Sequence, residues 1–302
     1  MGFTAGDVPS QQGKCFIVTG ANAGLGFAAS SVLAARGARV VLACRSADKA
    51  QAAMARIQAD VPGADLAFLP LDQADLASVR AAAEQAHTEP RIDALINNAG
   101  VMYPPLIRTA QGFEPQFGVN HLGTFALTAL LLPKLAETPG ARVVVTASLA
   151  HRFGKIDWND LDAHKSYKTS QRYADSKLAN MLFLYELDRR LRAAGSPVMA
   201  VGCHPGVAAT ELGRHSGATQ FAFRYFRRLL NTAEMGAWPA LQAATDPVAE
   251  AGGYYGPQGF GEMRGDSGPA KRKATARDPQ RARRLWDVSI EKTGIDPGLP
   301  PV

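Results

Sequence analysis

The sequence is short of sulfur, of long apolar runs and of anything repeated. Its three cysteines, Cys15, Cys44 and Cys203, are odd in number and far apart, and each sits in an apolar, strand-like run. That pattern excludes a disulfide framework and a Cys-based zinc site, and it points to buried free thiols in a reducing compartment. No metal site is expected. No apolar stretch reaches the ~20 residues that a membrane-spanning helix needs. No signal peptide is read at the start, so the expectation is a cytoplasmic chain without a transmembrane segment. No internal repeat or low-complexity linker divides it. Charge is modest, at 20% of 302 residues with a net +6, and much of the basic excess lies in Phe221–Arg228 and Lys271–Arg284. No nucleic-acid motif accompanies it, so a solvated basic face is the better reading. A chain of this length buries about three quarters of its unfolded surface and needs no staples.

What the sequence has is an alternation of short apolar runs with helical patterns. Lys14–Thr19 is a run of β formers followed at once by Gly20-Ala21-Asn22-Ala23-Gly24-Leu25-Gly26 and a helix from Phe27 to Arg36. Strand, glycine-rich turn and helix N-terminus together let a backbone approach a pyrophosphate. Three convenient glycines in a tight turn would look the same. Further strands are expected at Arg39–Cys44, Leu66–Leu71, Ile92–Ile96, Ala141–Thr146, Pro197–Cys203 and Gly253–Tyr255. Helices are expected at Ala47–Ala59, Asp75–Ala86, within Gly112–Ala136, and at Gln171–Ala194, Thr232–Thr245 and Lys271–Trp286. That alternation predicts a parallel, doubly wound α/β sheet. Met1–Gln12 reads as a loose lead-in, and the tail after Gly294 as irregular.

The strand ends carry the candidate chemistry. At the tip of the second strand an acid would bind the ribose 2′-OH of NAD, whereas an arginine accommodates the 2′-phosphate of NADP. Here the tip is Cys44-Arg45-Ser46, which favours NADP(H) over NAD(H), unless Arg45 is merely solvated and Ser46 a helix cap. Asp72 lies either at an adenine ring or at a helix start. Asn98, Ala99 and Gly100 follow the fourth strand and suit either a turn or a crevice wall. Asn120 is polar in the middle of a helix, where asparagine is unfavourable without a task. Ser148 ends the fifth strand. Tyr173 and Lys177 share one helix face at i, i+4. An ammonium beside a phenol lowers the phenol's pKa, which would tune a proton donor. Alone, Tyr-x-x-x-Lys is weak. His204 has no carboxylate at helical or strand spacing and reads as structural. Phe221–Leu230 is aromatic and basic, and fits a lid over the crevice better than a membrane-surface helix or a subunit contact.

Taken together and in order, Thr19-Gly20-x-x-x-Gly24-x-Gly26, Asn97-Asn98-Ala99-Gly100, Asn120, Ser148, Tyr173-x-x-x-Lys177 and Pro205-Gly206 resemble the short-chain dehydrogenase/reductase family over about residues 14–260. Phe117–Gly123, Ser176–Asn180, the Cys44-Arg45-Ser46 tip and the long Ser148–Tyr173 gap resemble its retinol dehydrogenase and protochlorophyllide reductase branch. The resemblance implies a single Rossmann-type domain over 1–302, a seven-stranded parallel sheet with helices on both faces, and a substrate lid at about 207–235. It implies hydride transfer between NADP(H) and a small-molecule carbonyl or alcohol, which the aromatic lid segment suggests is apolar and even bulky. Tyr173 would be the general acid/base. Lys177 would lower the Tyr173 pKa and hold the ribose, Ser148 would orient the substrate oxygen, and Asn120 would hold a water leading to Lys177. Gly20, Asn22, Gly24, Leu25 and Gly26 would line the pyrophosphate. Arg45 and Ser46 would take the 2′-phosphate, Asp72 and Gln73 the adenine, and Asn98, Ala99 and Gly100 the adenosine side. Pro205 and Gly206 would belong to the cofactor site, and Val207 and Thr210 would meet the carboxamide. Subunit pairing through the helices around Asn120 and Tyr173 is a further implication. The rival readings are a chlorin double-bond reductase, a dinucleotide-binding regulator without turnover, and a peripheral membrane enzyme.

Overall fold

The apolar runs become strands: β1 (Cys15–Thr19), β2 (Arg39–Cys44), β3 (Leu66–Pro70), β4 (Ala94–Asn97), β5 (Arg142–Thr146), β6 (Met199–Cys203) and β7 (Tyr254–Pro257). Apart from the edge strand β3, which is only partly buried, they are almost wholly buried, as strands covered on both faces must be. In this computed structural model, which describes residues 2–207 and 231–302, they form one sheet in the order β3-β2-β1-β4-β5-β6-β7. All neighbours in that series run parallel. An eighth strand, β8 (Ser267–Pro269), then pairs antiparallel with β7, so the sheet has eight strands where seven were expected. Its Ser-Gly-Pro sequence carries no strand signal. Neighbours set its pairing: Ser267 exchanges backbone hydrogen bonds with Phe3 and gives its hydroxyl proton to Gln242 Oε1 at 2.7 Å. The lead-in is therefore docked, not loose, with Phe3 and Val8 buried.

Helices cover both faces. They are α1 (Gly24–Ala35), α2 (Ala47–Asp60), α3 (Leu76–Ala86), the short α4 (Pro115–Phe117), α5 (Thr124–Ala136), α6 (Thr169–Ala193), α7 (Ala233–Thr245) and α8 (Pro279–Thr293). Alternation along β1 sorts the core. Ile17 packs with Leu95, Phe125, Phe183 and Trp286 on one face, whereas Phe16 and Val18 pack with Leu33, Leu42 and Leu241 on the other. The basic helix begins at Pro279, not at Lys271. Asp278 caps it by accepting from Gln280 N and Arg281 N, with proline at the first position, a start signal that outweighs the preceding lysines. Strand order reverses between β1 and β4, and a crevice opens outside their carboxyl ends. Of the expected lid, residues 208–230, including Phe221–Leu230 and Thr210, lie outside the described residues. Among the described residues, no helix is long and apolar enough to cross a membrane, and no group of three or more His, Cys, Asp or Glu could hold a metal.

Candidate active site

The crevice floor is made by backbone. Thr19, the last residue of β1, accepts through Oγ1 from Asn98 N (3.0 Å) and Ala99 N (2.9 Å), and its carbonyl accepts from Asn98 Nδ2 (2.9 Å). This lock holds the ends of β1 and β4 together at the point where the strand order turns. Gly20 has φ +67, and a Cβ there would sit 3.1 Å from Ala99 Cα. A Cβ at Gly26 would lie 2.5 Å from the Gly20 carbonyl oxygen, so only glycine lets α1 close on the turn. Helix α1 starts at Gly24 with no side chain capping it, which leaves its first N–H groups free of side-chain partners. Above them is a cavity of about 340 Å³ lined by Gly20, Asn22, Ala23, Gly24, Leu25, Asn98, Ala99, Gly100, Val101, Met102, Pro104, Thr146, Ala147, Tyr173, Lys177 and Pro205. A glycine-floored, uncapped helix N-terminus beside such a cavity fits the pyrophosphate of a dinucleotide.

The remaining cofactor candidates divide. Arg45 is exposed at the tip of β2, and its Nη1 stands 3.9 Å from Asp72 Oδ2, a loose surface pair. Ser46 caps α2 by accepting from Lys49 N at 3.4 Å, which leaves its own proton to donate. Asp72 stays at the tip of β3 and accepts from Ala74 N; the cap of α3 is Asp75. Gln73 turns inward, giving Nε2–H to Thr124 Oγ1 at 3.2 Å. Its side chain is buried beside Gly123 and away from the β2 tip, so it does not join Arg45, Ser46 and Asp72.

The opposite wall is made of buried polar side chains carried by α6. The residues around Tyr173 hold the long segment that follows Ser148. Arg172 donates to Asp160 Oδ2 (2.7 Å), to the Asp160 carbonyl (2.6 Å) and to the Ser166 carbonyl (2.9 Å). Asp160 in turn accepts from the N–H groups of His164, Lys165 and Ser166. Asp175 accepts from Lys155 N and Ile156 N. The segment thus becomes an ordered wall. Ser148 caps the 3₁₀ turn Leu149–Phe153 by accepting from Ala150 N at 3.2 Å. His151 anchors the same residue, its Nδ1 lying 2.6 Å from the Ser148 carbonyl.

Tyr173 is buried, and burial pushes its phenol up to about 12, opposed by a hydrogen bond from Ser148 and reinforced by Tyr103. Burial pushes Lys177 down to about 8, with Cys203 opposing. The Lys177 Nζ donates to the Thr146 carbonyl at 3.2 Å and stands 5.8 Å from the Tyr173 ring centroid. The expected lowering of the Tyr173 pKa by Lys177 is therefore not produced by this geometry. The ammonium faces a carbonyl, and desolvation outweighs its field at the phenol. Asn120 sits in a π-helical turn, Gly118–Gly123, between α4 and α5. Its Oδ1 accepts from Val101 N (2.7 Å), and its Nδ2 donates to the Val101 carbonyl and to Ser176 Oγ, each at 3.0 Å. The amide thus clamps the loop after β4.

Sequence reasoning missed several neighbours. Tyr103 sits at φ +58 with its N–H held by Gln116 Oε1, and its ring meets Tyr173 edge-on at 5.6 Å. No local pattern announces it, although its place just after Asn98-Ala99-Gly100 was available. His204 does face a carboxylate: Glu262 Oε2 lies 3.5 Å from its Nε2. That partner comes from the β7–β8 connection, beyond the reach of local spacing. The three thiols are buried and free, and burial raises them to about 12, 11 and 11 for Cys15, Cys44 and Cys203. Helix α8 packs on α6, with Trp286 stacked on Phe183, edge-on to Phe125 and under the Arg190 guanidinium. Subunit pairing through α5 and α6 would have to displace it.

Comparison with known proteins now adds to this geometry. A family described as short chain dehydrogenase matches residues 14–220. Retinol dehydrogenase 12 of Homo sapiens is 42% identical over 286 residues, 94% of this chain and 87% of that protein. Retinol dehydrogenase 13 of Homo sapiens is 42% identical over 305 residues, 97% of this chain and 89% of that protein. The crystal structure of an uncharacterized protein from Mycobacterium paratuberculosis superposes with a TM-score of 0.82 at 39% identity, covering 98% of this chain and 99% of that one.

Proposed function

Since the chain belongs to the short-chain dehydrogenase family and is thereby a nicotinamide-dinucleotide oxidoreductase, we propose that it moves hydride between NADP(H) and an apolar carbonyl or alcohol. The observation that carries this reading is Tyr173, a buried phenol at the junction of the glycine-floored cavity and the Ser148 wall. The dinucleotide supplies or accepts the hydride when bound. The chain positions and protonates. Ser148 Oγ accepts from Ala150 N and hydrogen-bonds the Tyr173 phenol, which sets the two hydroxyls side by side to receive a substrate oxygen. Tyr173, kept as a neutral phenol by burial, holds the proton that a carbonyl oxygen needs as it becomes an alcohol, and takes it back in the reverse direction. Lys177, charged below about pH 8, holds the ribose hydroxyls. Asn120 spends its amide on Val101 and Ser176 and so holds the loop after β4 beside the crevice.

Gly20, Asn22, Gly24, Leu25 and Gly26 cradle the pyrophosphate. Arg45 and Ser46 take the 2′-phosphate, Asp72 sits by the adenine, and Asn98, Ala99, Gly100, Pro205, Gly206 and Val207 line the rest. Met102 and Pro104 in the cavity wall, with the Tyr103 ring against Tyr173, make the substrate side apolar, which matches relatives named for retinol, itself an apolar alcohol. NADP(H) preference favours reduction in the cell. One dinucleotide-binding domain, in a reducing cytoplasmic compartment that suits three buried thiols, completes the reading. The test is oxidation of reduced cofactor, NADPH against NADH, with a panel of apolar aldehydes and ketones. Turnover that favours NADPH is expected. Tight NADPH binding without turnover of any carbonyl would contradict it.

A further inference from the structure

Two loops that meet at the crevice leave the sheet from adjacent strands. One follows β5 and carries Ser148; the other follows β6 and carries His204, Pro205 and Gly206. The residue that touches both comes from neither. Glu262, in the connection from β7 to β8, accepts from Arg152 Nη2, in the 3₁₀ turn that Ser148 caps. The same Oε2 faces His204 Nε2 at 3.5 Å, and Oε1 accepts from Lys271 N at 2.8 Å. His204 is fully buried, and its Nδ1 accepts from Gly206 N at 3.1 Å, so it cannot turn away without releasing the Pro205–Gly206 loop. The backbone repeats the join one residue later, where Val207 N donates to the Met263 carbonyl at 2.9 Å. Glu262 itself is held at φ +60, a conformation rare for a residue with a side chain. A glutamate kept in a disfavoured backbone geometry, aimed at a guanidinium and a buried imidazole, is a feature that the reaction as described leaves unused.

We propose that Glu262 is a positioning residue that fixes the Ser148 loop against the Pro205–Gly206 loop, so that substrate oxygen and cofactor meet at a set separation. The inference rests on the oxidoreductase reading above. Its carboxylate touches neither substrate nor cofactor and acts through Arg152 on one side and His204 on the other. A displacement on the scale of 1 Å at reacting groups lowers turnover by about 10²-fold.

The test is the full-length protein with Glu262→Ala and Glu262→Gln, each in the wild-type and the Ser148→Ala background. Glu262→Ala is expected to lower kcat by about 10²-fold and to weaken NADPH binding several-fold. Glu262→Gln keeps the shape but has one acceptor oxygen where the carboxylate has two, so it can accept from Arg152 or from Lys271 N but not hold both as now, and is expected to recover only part of both losses. In the Ser148→Ala background, adding Glu262→Ala should change kcat by less than about threefold, because the loss passes through Ser148. Losses that multiply in that background, or a folded Glu262→Ala with unchanged kcat and NADPH Kd, would overturn the proposal. If Glu262→Ala does not fold, Arg152→Met takes its place in the same cycle with the same criterion. The NADPH Kd, read by nucleotide fluorescence, needs no turnover. A weakened Kd in a protein whose wild type reduces no carbonyl would sink the oxidoreductase reading and keep the clamp. Wild-type turnover with neither quantity moved by the variant would do the reverse.

Discussion

The two walls of the crevice are built from different materials. On the β1–β4 side, recognition is left to backbone: Gly20 and Gly26 clear the space, and Thr19 and Asn98 lock the strand ends. On the β5–β6 side, it falls to side chains taken out of water, with Tyr173 pushed up to about 12 and Lys177 down to about 8 by the same burial. The first wall tolerates no added atoms; the second tolerates no lost partners. The difference predicts different failures.

The largest effect on the backbone wall should come from Gly26→Val. Its first added carbon meets the Gly20 carbonyl oxygen at 2.5 Å, and such overpacking destabilises by about 1–3 kcal/mol. Moved onto the pyrophosphate cradle, a loss of that size weakens NADPH binding by about tenfold to 10²-fold. Fluorescence titration with NADPH checks it, and an unchanged Kd would remove the glycine floor from the account. Arg45→Ala should have a smaller and selective effect. NADPH binding should weaken by about tenfold, one charge-assisted contact, while NADH binding stays within about twofold. Equal losses for both cofactors would return Arg45 to the role of a solvated residue.

The smallest effect sharpens the other wall. Below pH 8 Lys177 is charged in the folded and the unfolded chain, and its buried ammonium penalises folding. Between about 8 and 10.5 the folded protein releases that proton first, so this penalty fades as pH rises. Lys177→Met should therefore unfold at a higher temperature than wild type at pH 7, with the gap closing toward pH 10. The difference between the two proteins isolates Lys177 from the thiols and phenols that titrate in the same range. A gap that is flat with pH would mean that the lysine is not held in a desolvated site.

How legible each wall is in the sequence follows the same division. The seven parallel strands and the glycine turn were readable because they depend on local spacing and on runs of apolar residues. Ser148, Tyr173 and Lys177 were readable as residues, yet not their electrostatics, because the Lys177–Thr146 carbonyl contact joins parts of the chain far apart in sequence. Gln73 looked like a ligand beside Asp72 and instead turns into the core toward Thr124. His204 looked partnerless because Glu262 arrives from another connection. Strand β8 was invisible because Ser-Gly-Pro owes its pairing to Phe3 and Tyr255.

Tyr173→Phe tests most directly whether Tyr173 is the general acid of a reductase. The substitution removes one oxygen from a buried ring. NADPH affinity and thermal stability should hold while kcat with an apolar aldehyde falls by about 10²–10⁴-fold. Turnover within a few-fold of wild type, with cofactor binding intact, would contradict it.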